Sequence, residues 1–164
     1  MNSKEKVQIH KGMDKVKSMH FDEALHIFEG VLEANPTIPE AWNNKGVVLF
    51  RLGRVEEALD CYDRTLSIDS DNMEALRNKG FVLRGLGRLE EALQAYDSVL
   101  QKGGGPLDLE STASVLASMG RLEEALECLL LARDAAPVDR FEKEIEMIKN
   151  MIMQRKGIAA QGEK

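Results

Sequence analysis

Near-copies of one phrase, held at a fixed spacing, constrain this chain more than any other feature. The phrase runs Gly53, Arg54, Val55, Glu56, Glu57, Ala58, Leu59 and returns at 87–93 and at 120–126. A weaker copy lies around Phe21, Asp22, Glu23, Ala24 and Leu25. Ala24, Ala58, Ala92 and Ala125 are 34, 34 and 33 residues apart. A period of this size marks a supersecondary unit that cannot bury its apolar face alone and stacks on its neighbours.

A second stretch recurs upstream of the phrase. Ala41-Trp42-Asn43-Asn44-Lys45-Gly46-Val47-Val48-Leu49 aligns position by position with Ala75-Leu76-Arg77-Asn78-Lys79-Gly80-Phe81-Val82-Leu83. Together the two stretches resemble the tetratricopeptide repeat, with Trp42, Gly46, Ala58 and Tyr62 in its signature slots. Gly12, Ala24, Phe28 and Pro36 fill them in the first unit, Gly80, Ala92 and Tyr96 in the third, and Ala113, Ala125, Ala132 and Pro137 in the fourth.

The resemblance implies an all-α fold, a right-handed α-solenoid of four tetratricopeptide-type helix pairs plus a C-terminal capping helix. The units fall at 5–38, 39–72, 73–105 and 106–139, the capping helix at 138–156, and 1–156 reads as a single repeat domain. Residues 157–164 are small and polar and read as a disordered tail. In the family, Gly46 with Ala58 is a close helix contact, since larger side chains there would push the helices apart. Gly53, Gly87 and Gly120 are expected to end the first helix of each pair at positive φ. The glutamate pairs that follow open the next helix, where they complement its dipole.

Composition narrows the function. No run of about eighteen apolar residues offers a membrane span, and the charged start is no signal core, so the expected location is cytoplasmic. Net charge is −6, yet residues 1–17 carry five lysines against two acids, while 18–139 carry 22 acidic and 11 basic residues. That acidic body argues against nucleic acid as a partner. Cys61 and Cys128 share a repeat slot with Ile27 and Ala95, which marks a packing position. His10, His20 and His26 lack metal-ligand spacing, and no nucleophile motif is present. The reading is non-enzymatic, with no cofactor and no metal. Gly103-Gly104-Gly105-Pro106 has no Gly-Lys-Ser/Thr to follow it and reads as a flexible connection.

The concave groove implied by the family is the remaining surface. Transferred by position, it includes Asn43, Val47, Phe50 and Arg51 from unit two, and Arg77, Phe81 and Arg84 from unit three. Apolar residues among basic ones point to another protein as partner, a peptide or helix with acidic residues around an apolar anchor. Alternatively, Val16, Val47, Phe50 and Phe81 pack between neighbouring first helices. One family subclass clamps a C-terminal carboxylate, but Glu74 or Asp108 would stand in that clamp and repel it.

The last helix offers a different use. Phe141, Ile145, Ile148 and Ile152 form one apolar stripe suited to a cap. Met147 and Met151 widen it beyond that need and mark a possible homodimer contact. Adaptor and self-assembly element are therefore the two readings.

Overall fold

A computed structural model describes residues 1–136 and 139–162, with side chains as far as residue 157. Pro137 and Val138, counted above in the fourth unit and the cap, and residues 163 and 164 of the tail lie outside the described residues. The described residues form nine α-helices and no strand. Contacts divide the chain into two compact units, Met1–Val82 and Leu83–Lys164, with the boundary inside the fifth helix.

The first unit holds α1 (Ser3–Lys17), α2 (Phe21–Ala34), α3 (Pro39–Arg51), α4 (Val55–Ile68) and the start of α5 (Met73–Gly85). Asn2 caps α1 with a capping box: its side chain accepts from the Glu5 amide at 2.9 Å while Glu5 reaches back to the Asn2 amide. Asn35 then ties the end of α2 to that box, donating to Glu5 at 3.0 Å. The Trp42 indole donates to the Pro36 carbonyl at 2.8 Å and so fixes the turn into α3. The core runs through Ile9, Phe28, Ile38, Ala41, Val48, Leu49, Tyr62 and Ala75. Gly46 is required by its neighbour: a Cβ there would lie 2.7 Å from the buried Tyr62 ring. Gly12 receives the Phe28 ring in the same way.

The second unit continues with α6 (Leu89–Gln101), α7 (Pro106–Ser118), α8 (Leu122–Ala135) and α9 (Asp139–Gly162). Ile145, Ile148 and Ile152 of α9 join Ala113 and Leu116 of α7 and Leu122, Ala125 and Leu129 of α8 in one buried cluster. The stripe seen in the sequence thus covers the last helix pair. Arg155 adds a paired hydrogen bond to Glu123, at 2.6 and 2.7 Å, and one to the Gly120 carbonyl at 3.1 Å. The helix runs on to Gly162, where the sequence reading ended the cap at Lys156.

The recurring phrase is a device for turning the chain. Arg54, Arg88 and Arg121 each donate an amide hydrogen bond to a carbonyl five residues back, at 2.9 Å, across a glycine with φ between 74° and 78°. Each arginine then grips the glutamate three residues on, as Arg54 does with Glu57 at 2.6 and 2.7 Å. The first helix pair, α1 and α2, makes the same turn without glycine, so Met19 is held at φ 61°.

The triple-glycine connection is bonded rather than loose. The Gly104 amide donates to Val99 and the Gly105 amide to the Asp108 carboxylate, at 3.0 and 2.9 Å, so the segment closes α6 and caps α7. In α7, Ser111, Thr112 and Ser118 bond the carbonyls four residues back, each at 2.9 Å.

Candidate functional site

In the first unit α3 and α5 bring six of the seven proposed groove residues onto neighbouring helices. Phe50 and Phe81 meet edge to face, with ring centroids 5.8 Å apart and planes at 84°. Phe81 is still 51% exposed. The pair therefore does both things the sequence left open: it packs one first helix on the next and leaves an aromatic surface outside. Arg51 and Arg77 are exposed on the same helices, and Val47 is half-buried. Met13 and Val16 of α1 are half-buried as well.

Asn43 has a different position from the one its slot suggested. It is 3% exposed, and its side-chain oxygen accepts from Asn78 at 3.0 Å. An amide taken up inside the unit joins α3 to α5, and Asn78, half-buried, is the member nearer the surface. The signal was available: Asn78 follows Asn43 by 35 residues, one turn of the repeat plus one.

Arg84, the seventh residue, belongs to the second unit, where its guanidinium donates to the Ser114 hydroxyl of α7. On this unit Leu107 is 62% exposed at the start of α7, and Met147 and Met151 are 56% and 39% exposed on α9. Sequence reasoning missed what lies next to the methionines. Arg140 bonds Glu110 of α7, and the Glu144 carboxyl sits against the same Glu110. Burial first, and the Glu110 charge second, push the Glu144 carboxyl above its usual range.

Lys45 and Lys79 reach Glu29 and Asp63, at 3.1 and 2.5 Å, from stems lying along their helices. Burial pushes the Cys61 thiol up to about 11, so it carries no nucleophilic thiolate near neutral pH. Among the described residues no group of three His, Cys, Asp or Glu is placed to hold a metal ion. No described helix is long and apolar enough to cross a membrane.

Two tetratricopeptide repeat models match the sequence, at residues 39–72 and 61–106. The chain is a tetratricopeptide repeat protein. No curated protein matches its sequence at a significant level. Among solved structures, this repeat protein is similar to residues 41 to the end of MamA from Desulfovibrio magneticus RS-1, with TM-score 0.84 and 19% identity over 98% of this chain and 92% of that one. It is also similar to PilW, a type IV pilus biogenesis factor, with TM-score 0.82 and 21% identity over 94% of this chain and 72% of that one. The pilF protein of Pseudomonas aeruginosa follows at TM-score 0.81 and 21% identity, covering 96% and 72%. At such identities the likeness is one of fold: an all-α tetratricopeptide-type solenoid.

Proposed function

We propose that this tetratricopeptide repeat protein is a non-enzymatic interaction scaffold, and that its first unit holds a segment of another protein on the α3–α5 face. The observation that carries the reading is Phe81, half exposed against Phe50 with Arg51 and Arg77 exposed on the same two helices. An exposed aromatic in a stretch rich in arginine suits an apolar anchor flanked by carboxylates, and it rejects a basic segment. The Asn43–Asn78 bridge holds the two helices in register beneath it. Val47 extends the apolar strip along α3.

Peptide display on the whole chain tests this. Acidic sequences with one aromatic or aliphatic anchor are the expected winners. Their affinity should fall at least about tenfold with Phe81→Ala, and further with Arg51→Glu and Arg77→Glu, at unchanged far-ultraviolet circular dichroism. Winners that bind the triple variant as tightly as the parent would remove the α3–α5 face from consideration.

A further inference from the structure

The second unit carries an apolar edge of its own with the opposite electrostatic preference. We propose that Met147 and Met151 of α9, with Leu107 and the Glu110–Glu144 carboxyl pair, dock a helical protein segment presenting a Lys or Arg between apolar side chains. This proposal does not depend on the α3–α5 reading.

The apolar edge comes first. The cap needs one stripe, and Phe141, Ile145, Ile148 and Ile152 supply it, all buried. Met147 and Met151, one helical turn apart, remain exposed beside that stripe. Leu107 on α7, whose Glu110 is bonded by Arg140 of α9, is exposed too. Methionine adapts to the shape of what it meets, and exposed apolar groups arranged in a row signal contact.

Charge selects the occupant. Helical spacing puts Arg140, Glu144, Met147 and Met151 on one side of α9, at intervals of four, three and four. Glu110 stands three residues after Leu107 on α7. Arg140 bonds Glu110, and Glu144 crowds that same carboxylate, so two acids share one guanidinium. A second cation arriving from outside would answer the excess. The rows also set its spacing. Leu107 lies about one turn from the carboxyl pair, and Met151 lies seven residues, roughly 10 Å, beyond Glu144. A helix with an apolar residue one turn before its cation, and others one and two turns after, matches both rows.

A second copy of this chain fits less well. A twofold contact sets a patch against itself. Here it would bring the Glu110–Glu144 acids of two copies to one apolar patch, and the face's Arg140 is already engaged by Glu110.

The test uses the whole chain and two synthetic helical peptides, fluorescently labelled. One has leucine one turn before a lysine and leucine one and two turns after it; the other replaces that lysine with glutamate. Fluorescence anisotropy should show the lysine peptide binding at least about tenfold tighter than the glutamate peptide. Glu144→Gln should erase most of this preference, and Glu110→Gln with Glu144→Gln all of it. Met151→Glu should weaken the lysine peptide severalfold or more. Glu127→Gln with Glu146→Gln, which removes as much charge elsewhere, should leave the preference intact. The proposal is overturned if the two peptides bind equally, or if the preference survives loss of both Glu110 and Glu144. It is also overturned if sedimentation finds the parent to be a dimer that Met151→Glu dissociates, which would give the face to a second copy.

Discussion

Replacing glycine by alanine should change stability with opposite sign at two helical positions, and the structure says which is which. Gly30 in α2 and Gly46 in α3 both sit in helix interiors, where alanine is favoured by about 1 kcal/mol. At Gly30 a Cβ would meet nothing within 4 Å, so Gly30→Ala should gain about that amount. At Gly46 the Cβ would lie 2.7 Å from Cε1, 3.0 Å from Cδ1 and 3.1 Å from Cζ of Tyr62. The Tyr62 ring is 1% exposed and cannot swing into water, so the two helices must separate or the ring must leave its rotamer. Overpacking of this kind costs about 1–3 kcal/mol, which offsets the propensity gain and leaves a net loss of up to about 2 kcal/mol. Urea unfolding followed by circular dichroism reads both variants at once, provided the slope stays constant and only the midpoint moves. Tyr62→Leu adds an internal control. It destabilises by itself through the cavity it leaves, but in its presence Gly46→Ala should become neutral or favourable. The reasoning fails if Gly46→Ala unfolds at or above the parent midpoint, or if its cost is unchanged beside Leu at position 62.

Met19→Gly should stabilise by about 1 kcal/mol, because it relieves the left-handed conformation at φ 61° that the sibling turns give to glycine; a lower midpoint would refute this. Glu144 has its folded pKa raised, so the folded state holds its proton more tightly and stability falls as pH rises through the carboxylate range. Glu144→Gln should therefore be more stable than the parent at neutral pH, with the advantage vanishing below the unfolded carboxylate pKa; a pH-independent difference would refute the assignment. Arg155→Ala removes an exposed paired contact to Glu123 and should leave the urea midpoint almost unchanged; a large drop would refute this.

The repeat register was legible because periodic residues answer to periodic forces. Ala41 and Ala75, Val48 and Val82, and Leu49 and Leu83 are all buried, as their alignment in the sequence requires. Gly53, Gly87 and Gly120 all take positive φ, because the phrase needs a left-handed residue between two helices. What the alignment does not show is which positions touch. The repeat pattern pairs Gly46 with Ala58, yet the atoms nearest to a side chain there belong to the Tyr62 ring one turn further on. Its slot assigns Asn43 to the groove, but its buried amide meets Asn78, which occupies the neighbouring slot of the next repeat. Glu110 and Glu144 lie 34 residues apart, but the second falls after the last recognisable repeat, where there was no phrase left to align.

On the proposed scaffold, partner recognition would fall to the slots that do not repeat. At one such slot the chain has Asn43, then Arg77, then Glu110; at another it has Val47, then Phe81, then Ser114. Burial accounts for Asn43, which is taken up inside the first unit, but not for the other changes, since on the same helices the packing slots at 48, 82 and 115 stay Val and those at 49, 83 and 116 stay Leu. The substitutions turn the surface from apolar and cationic in the first unit, where Phe81 and Arg77 are exposed, to acidic beside the methionines of α9 in the second. One basic segment and one acidic segment would each be favoured by one unit and rejected by the other, because like charges brought into a desolvated contact cost more than a misfitted apolar group. A scaffold built this way can hold two different segments without confusing them. The decisive comparison is therefore crossed: Arg77→Glu should affect only the acidic ligand and Glu144→Gln only the basic one. Loss of both ligands from either change would mean that a single surface serves them.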